Sequence, residues 1–270
     1  MKTTVFLLLF SAQVVAQHHT RLEPATIEVH YHHTMQRDTV RRLATETDSM
    51  ILRIGASASQ FFSRHTFYYD SLWNDPDGRA TAEALTLEAF RTRDHSKEPR
   101  VGTTYDYLYK NYPAGRVTTT NEQFHVACRY DEATPSISWV MADSVRTILG
   151  HPCRMATADF RGRRWTAWFA TDIPVSDGPW KLGGLPGLIL EAYDKGHQYT
   201  FTAVGLERVA EEPIVFTRRG GKNGYRTVDR HAFLKAKMFD LTHGGALGAS
   251  GLKSTDYEPI YMDLIERDYR

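Results

Sequence analysis

Two histidines in the first part of the chain have the spacing of a metal-binding pair. His30 and His32 lie two residues apart in a predicted strand over 25–33, so both imidazoles project from one face and His33 from the other. Such a pair supplies two ligands for zinc or copper, but nothing in the sequence fixes a third. The alternative is a pair of surface histidines that bind no metal.

A second metal-binding hypothesis concerns the N-terminus. Residues 1–16 combine one lysine, a short apolar run and a Val-Val-Ala ending, which is typical of a cleaved signal peptide. The mature chain then begins Gln17-His18-His19, whose free amine, two amides and third-position imidazole form a chelate for Cu²⁺ or Ni²⁺. Cyclisation of Gln17 to pyroglutamate would remove the amine and abolish this site.

The leader predicts an exported protein, periplasmic or extracellular, that is soluble after cleavage. Its apolar run is too short to span a bilayer, and no cysteine follows the expected cut to accept a lipid. The sequence has 33 Lys+Arg and 32 Asp+Glu, and one of those lysines lies in the leader, so the charges of residues 17–270 balance. This balance argues against a nucleic-acid partner. The oligomeric state stays open.

Four arginines form a candidate anion site. Arg161, Arg163 and Arg164 cluster at a predicted hairpin tip, and Arg154 lies on the partner strand. Guanidinium groups in such a cluster bind carboxylates, phosphates or an acidic partner. The alternative is a solvated turn balanced by Asp159.

Nothing in the sequence indicates catalysis. It contains no G-x-S-x-G, H-E-x-x-H or P-loop motif. His125 and Cys128 lie three apart, but on a strand they face opposite ways, which prevents a thiolate–imidazole pair. We therefore expect a non-catalytic protein without an obligatory cofactor, copper or zinc being the alternative.

Cys128 and Cys153 are the two cysteines of the chain. In an oxidising compartment a pair favours a disulfide, which would stabilise the fold by roughly 3 kcal/mol for a loop of this size. Two separate buried thiols are the alternative.

The hydrophobic pattern predicts a mainly β, β-rich α+β protein with one domain over 17–270. Period-two runs separated by short turns favour a single antiparallel, curved, open-barrel-like sheet built as one continuous meander, with two or three helices. The clearest hairpin pairs 153–160 with 164–170 across Arg161-Gly162-Arg163, after a turn at Gly150-His151-Pro152.

Helices are predicted at 81–91, after a breaker at 75–78, and at 228–240, with Thr227 as N-cap. The second helix carries an apolar stripe formed by Ala232, Phe233, Ala236 and Phe239. Segments near 93–100, 218–224 and 244–252 are predicted to be mobile.

Aromatic residues suggest a ligand site. Trp165, Trp168 and Trp180 surround the turn Leu185-Pro186-Gly187-Leu188, in which proline presets one φ and glycine accepts a positive φ. A predicted strand places Tyr105, Tyr107 and Tyr109 on one face. Together these residues are candidates to line a hydrophobic cavity. The alternative is that the glycines permit a tight backbone path while the large apolar side chains fill the core.

The stretch GLPGLIL at 184–190 identifies the chain as resembling the GLPGLI family, exported proteins of Bacteroidetes-type bacteria. The resemblance extends over 148–194, through Gly150-His151-Pro152-Cys153 and Asp177-Gly178-Pro179-Trp180-Lys181. It implies no catalytic residues, because the function of the family is not established. The strand order around the Trp-rich hairpin also resembles the open half-barrels of bacterial lipoprotein carriers.

We therefore expect a non-catalytic binding or carrier protein of the cell envelope that holds a hydrophobic small molecule. The alternatives are a metal-handling protein for copper or zinc, and an adaptor that binds an envelope protein of an outer-membrane transport or assembly system.

Overall fold

The computed structural model describes residues 19–36, 38, 45–122, 127–210, 212–217, 224–242 and 263–269. The predicted signal peptide, the predicted mobile segment 244–252 and all but the last residue of the predicted mobile segment 218–224 lie outside this part. The strands are β1 His19–Pro24, β2 Ile27–Met35, β3 Glu46–Ile54, β4 Ser59–Ser63, β5 Tyr107–Lys110, β6 Arg116–Asn121, β7 Cys128–Ala133, β8 Val140–Ile148, β9 His151–Phe160, β10 Arg163–Ala170, β11 Ile189–Asp194, β12 Tyr199–Arg208, β13 Pro213–Thr217 and β14 Arg226–Thr227. The helices are α1 Arg64–Asn74, α2 Pro76–Thr92 and α3 Arg230–Thr242.

Twelve of the strands form one open sheet in the order β14-β7-β6-β5-β4-β3-β2-β12-β11-β10-β9-β8. All neighbours are antiparallel except the short parallel pair β14–β7. Strands β1 and β13 form a separate two-stranded sheet. The predicted fold class, mainly antiparallel β with three helices, is confirmed.

The prediction of one continuous meander is wrong. The strands β2–β7 and β8–β12 form two meanders, joined where β2 pairs with β12 along nearly its whole length. The chain passes from β7 near one edge to β8 at the other, so these consecutive strands are not neighbours. Local hairpin signals do not reveal such a connection, because it depends on pairing between distant segments.

The two faces of the sheet bury different side chains because successive residues alternate. We call the side bearing Leu52, Phe61 and Leu108 the inner face and the side bearing Ile51 and Phe62 the outer face. The inner-face core draws on both meanders, so the sheet curves around it. The outer-face core is smaller and includes Phe216 of β13.

Residues 171–188, which we call the inner loop, cross the inner face between β10 and β11. Leu182, Leu185 and Leu188 are buried there against the main core. Complete burial of a leucine side chain contributes about 2 kcal/mol relative to an exposed one. The signature therefore fills the core, as the structural alternative predicted, while Pro186 is exposed.

Glycines in the inner loop are required for two different reasons. Gly184 has a φ of +84°, which favours glycine. Gly187 is not among the glycines with positive φ, so the expected role for it in the turn is wrong. A Cβ at Gly187 would instead lie 1.9 Å from the carbonyl oxygen of Ala170, so close backbone approach excludes any side chain there.

The first two helices differ from the prediction. Helix α1 was not predicted, and Ser63 caps it by accepting a hydrogen bond from the Thr66 amide. Helix α2 contains the predicted 81–91 but starts inside the supposed breaker, because Asp75 caps the Gly78 amide and Pro76 occupies the first turn. The predicted mobile segment 93–100 is described and follows this helix.

Helix α3 begins later than expected. Thr227 lies in β14, and Asp229 accepts the hydrogen bond from the Ala232 amide at 2.9 Å. The expected stripe is also shifted: Phe233 and Leu234 are buried, whereas Phe239 is exposed.

The hairpin turns are tighter than expected. Phe160 pairs with Arg163, which leaves the two-residue turn Arg161-Gly162, and Ile148 pairs with His151 across Leu149-Gly150. All four turn residues have positive φ, typical of two-residue hairpin turns.

Candidate functional site

A cavity of about 100 Å³ lies between the inner face, the inner loop and helix α3. We call it the α3 cavity. Its apolar lining residues come from five sheet strands, the inner loop, α3 and residues 263–269, and these are Met35, Met50, Phe61, Leu108, Trp180, Phe201, Leu241, Leu264 and Ile265. Its polar lining residues are His33, Thr103, Thr104, Asp106, Tyr199, Lys237 and Asp263. Apolar walls with a few convergent polar groups are typical of small-molecule sites.

An ion pair forms one polar part of the cavity wall. Lys237 Nζ lies 3.0 Å from a carboxylate oxygen of Asp106, and Asn121 Nδ2 donates to the other oxygen at 2.5 Å. Burial alone would raise the pKa of Asp106, but Lys237 and the Asn121 hydrogen bond outweigh it and lower the pKa. Asp106 is therefore ionised at neutral pH and ties β5 to α3.

His33 forms another polar part of the wall. Its ring stacks on Phe201 with a centroid distance of 4.3 Å, and Nδ1 lies 2.9 Å from the Thr200 carbonyl oxygen. The sequence placed His33 opposite His30 and His32, and the structure confirms that arrangement, since His33 faces the cavity. It was not predicted as a ligand-contacting residue.

Residues 263–269, which we call the C-terminal segment, are held at the inner face by a buried charge network. Lys181 Nζ lies 2.5 Å from Glu266 and also pairs with Glu132 of β7. Arg230 of α3 pairs with both Glu266 and Asp268. The network thereby joins the inner loop, β7 and α3 around one end of the cavity.

The pKa values in this network follow from the pairing. Burial would lower the pKa of Lys181, but Tyr130, Glu266 and Glu132 raise it well above its usual range. Burial would raise the pKa of Asp268, but hydrogen bonds from Arg230 and Arg161 lower it to about 2. Lys181 is therefore a permanent cation rather than a nucleophile.

A second lysine fixes the inner loop. Lys110 Nζ donates to Asp177 Oδ1 and to the Gly178 carbonyl oxygen, both at 2.5 Å, and to the Leu182 carbonyl oxygen at 3.2 Å. These three acceptors hold the loop at the end of β5. A separate hollow of about 410 Å³ lies nearby, and its lining includes Lys110, Gly183 and apolar side chains such as Val117.

Of the three tryptophans predicted to line a cavity, the structure places Trp180 there. Trp165 is completely buried in the core and contacts Trp180 at a ring-centroid distance of 5.6 Å. Trp168 is buried with the main core but does not line the cavity, and the guanidinium of Arg146 lies 4.1 Å from its ring. Leu185 is a core residue and Pro186 is exposed, so neither lines the cavity.

The tyrosine row does not line the cavity either. Tyr107 and Tyr109 are buried in the outer-face core, against Phe62 and Phe216 respectively. Tyr105 precedes β5 and is half-buried. The alternation was right, but a period of two does not reveal which face receives a ligand.

The predicted anion site is not formed. Arg163 is completely buried, with Nη1 2.7 Å from Asp194, and Arg161 pairs with Glu132 and Asp268. Arg164 pairs with Asp159 at 2.9 Å, as the solvated-turn alternative predicted, and Arg154 is exposed. Carboxylates of this chain therefore neutralise three of the four arginines.

The two histidines of the predicted pair have different surroundings. His30 and His32 share the outer face, but the His30 Nε2 atom lies 3.0 Å from Glu28 and 3.2 Å from Glu207, while His32 is exposed. Gln17 and His18 lie outside the described residues, as does the side chain of His19.

Both cysteines are free thiols, so the structure favours the alternative to a disulfide. Cys128 lies on β7 and Cys153 on β9, and burial raises the pKa of each. Neither is therefore an activated thiolate.

The residues that sequence reasoning missed are mainly Asp106, Lys237, Lys181 and the acids of the C-terminal segment. Asp106 stands in the tyrosine row and Lys181 directly precedes the inner-loop leucines, so their positions gave a weak signal. Lys237 lies 131 residues from Asp106, and Glu266 lies 85 residues from Lys181, beyond the reach of local patterns.

Among the described residues, none of the helices has the length and apolar character needed to cross a membrane. None of the curated proteins compared with the chain matches it. Two solved structures, described as "Structure of PNGF-II in P21 space group" and "Structure of PNGF-II in C2 space group", are each 12% identical to it with a TM-score of 0.49. Each alignment covers 78% of this chain and 32% of the other, so the chain spans about a third of their length.

A family model described as "Protein of unknown function (Porph_ging)" matches residues 161–191. These residues run from the β9–β10 turn through the inner loop into β11. The match confirms, over this segment, the resemblance inferred from GLPGLIL.

Proposed function

We propose that the protein is an exported, non-catalytic carrier that holds the apolar part of a small ligand in the α3 cavity. The lining of the cavity supports this proposal: nine apolar residues converge there, accompanied by an ion pair and a histidine on its wall. A ligand with an alkyl group and one polar end matches this distribution.

The cavity volume limits the size of the ligand. An apolar cavity of roughly 150 Å³ binds benzene, so a cavity of about 100 Å³ suits a short or branched alkyl group. The inner-loop leucines occupy the rest of the inner face. The carrier therefore selects small apolar groups rather than long acyl chains.

Methionine methyl NMR tests this proposal. Met35 and Met50 line the cavity, whereas Met141 is exposed on β8. Titration with isobutanol should shift the first two resonances saturably and leave the third unchanged, and glycerol should shift none. Equal, non-saturating shifts at all three methionines would contradict the proposal.

A filling variant and its control make the test specific. Leu241→Trp replaces a leucine side chain of α3 by an indole ring that fills the cavity, and it should abolish the saturable shifts. Leu87→Trp changes an exposed residue of α2 and should leave them intact. Thermal unfolding of both variants establishes that they fold.

Export is part of the proposal and depends on residues 1–16. Intact-mass measurement of the protein from the envelope fraction should give a chain beginning at Gln17. A mass that retains the leader would contradict export. Loss of ammonia from Gln17 would exclude the N-terminal copper chelate without affecting the carrier proposal.

A second candidate function is that of an adaptor for an envelope protein. Strand β8 is the outermost strand of the sheet, and Val140, Met141 and Val145 are exposed on it. Such an edge can pair with an extended segment of a partner. The register irregularity between Met141 and Val145 opposes this pairing, because bulges protect edge strands.

Site-specific photocrosslinking distinguishes the adaptor from the carrier. A photoreactive residue at Val145 should form one discrete adduct in native envelopes, whereas one at exposed Val204 of β12 should not. Ser144→Pro, which removes a backbone donor from the β8 edge, should abolish that adduct. Identical adducts from both positions would contradict edge pairing.

A further inference from the structure

Two glutamates face each other across neighbouring strands on the outer face. Glu28 of β2 pairs in register with Glu207 of β12, and like charges in directly opposite positions destabilise a sheet. His30 lies two residues along β2 from Glu28, on the same face. Its Nε2 atom lies 3.0 Å from Glu28 Oε1 and 3.2 Å from Glu207 Oε1.

These three side chains present a set of converging ligand atoms. One atom from each of Glu28, His30 and Glu207 lies within 4.8 Å of the other two. In a tetrahedral zinc site the bonds are about 2.0–2.2 Å long, which separates ligand atoms by roughly 3.4 Å. An ion therefore fits between them with small side-chain movements.

The surrounding residues fix Glu28 by a hydrogen bond and give His30 a packing neighbour. Glu28 uses its second oxygen to accept a hydrogen bond from Arg53 Nε at 2.7 Å, and Arg53 also donates to the Pro213 carbonyl oxygen at 3.1 Å. His30 packs beside Gly205, where an added Cβ would lie 3.7 Å from the imidazole. Outer hydrogen bonds of this kind orient metal ligands.

Charge and access also suit a cation. The Arg53 guanidinium also pairs with Glu212 at 3.0 Å, so three carboxylates and one guanidinium leave a net negative charge at a neutral imidazole. Glu28 is buried, whereas the side chain of Glu207 is 59% exposed, which leaves an open side for water as a further ligand.

We propose that Glu28, His30 and Glu207 bind a divalent cation of the zinc class on the outer face, independently of the α3 cavity. Imidazole nitrogen and carboxylate oxygens are ligands that zinc takes in proteins. A protonated His30 that bridges the two carboxylates without metal is the competing arrangement.

Calorimetric titration of the full processed chain with zinc chloride tests the proposal, with circular dichroism to establish folding of each variant. We expect one zinc per chain, more than tenfold weaker binding in His30→Gln and in Glu207→Gln, and unchanged binding in His32→Gln. His32 is the matched control because it lies on the same strand and face. Zinc binding also protects His30, but not His32, from modification by diethyl pyrocarbonate.

Three results would overturn the proposal. The first is no binding by the wild-type chain at millimolar zinc. The second is equal weakening in His30→Gln and His32→Gln. The third is an unfolding midpoint that depends on pH in the wild-type chain but not in His30→Gln, and that zinc does not change in either protein. That outcome would assign His30 to an ionic bridge alone.

Discussion

The two ends of the inner face are stabilised by different interactions. Near β10 and β11, apolar side chains of the inner loop pack against tryptophan and leucine, with the ion pairs Arg163–Asp194 and Lys110–Asp177 beside them. Near β7 and α3, the C-terminal segment is held by Lys181, Arg230 and their carboxylate partners. We call these the apolar end and the ionic end. The α3 cavity lies beside the ionic end.

The difference indicates which part of the molecule opens. Apolar packing resists rearrangement because any displaced side chain leaves a cavity. Ion pairs re-form after small movements and respond to pH and salt. We therefore infer that α3 and the C-terminal segment move to admit a ligand while the apolar end stays fixed.

The largest expected effect comes from Lys181→Met. Removal of this buried cation takes one partner from each of Glu132 and Glu266, which keep Arg161 and Arg230 respectively, and should lower the free energy of unfolding by about 4 kcal/mol. Lys235→Met, on the exposed side of α3, is the control and should change it little. Denaturant unfolding measures both, and equal losses would contradict the role given to the ionic end.

Gly187→Ala should be the next most severe change, at about 3 kcal/mol. Its Cβ would lie 1.9 Å from a backbone oxygen that cannot move away without disturbing β10. At Gly183 the nearest atom would be 3.5 Å away, so Gly183→Ala is the matched control within the same loop. Similar stabilities for the two variants would show that the apolar end is not tightly packed.

Acid should loosen the ionic end first. The pKa of Asp268 is lowered from 3.8 to about 2, so its stabilising contribution is complete above pH 4 and is lost as the pH falls towards 2. Hydrogen exchange should therefore accelerate in 263–269 and α3 before it does in β10 and β11. Asp268→Asn should flatten this pH dependence, and simultaneous loss of protection at both ends would contradict the comparison.

The smallest expected effect is that of Arg164→Ala. Arg164 and Asp159 form an exposed pair at 2.9 Å, and such pairs contribute at most about 0.5 kcal/mol. The midpoint of thermal unfolding, measured at low and at high salt, should be almost the same in Arg164→Ala as in the wild-type chain. A loss comparable to that of Lys181→Met would mean that exposed arginines also stabilise the fold.

The apolar end was largely predictable and the ionic end was not. Leu185 and Leu188 follow a turn signal as an apolar run, and burial is the ordinary fate of such residues. Lys181, by contrast, is buried only because Glu132 and Glu266 reach it from distant segments. Local sequence patterns indicate that an apolar run is buried, but they do not indicate which distant carboxylates pair with a lysine.

The faces of the sheet illustrate the same limit. Alternation correctly grouped Tyr107 with Tyr109 and separated His33 from His30. It did not show that the tyrosines lie under β13, because that depends on a strand more than 100 residues later. The α3 cavity was likewise beyond prediction, since its walls come from segments spread along the chain between residues 33 and 265.

Xenon binding in a pressurised crystal tests the central claim most directly. Xenon is apolar and occupies dry cavities of this kind. We predict a single strong xenon site between Met50, Leu108 and Trp180, and its loss in Leu241→Trp. A cavity that stays empty of xenon, or that contains only ordered water, would contradict the claim that it binds an apolar group.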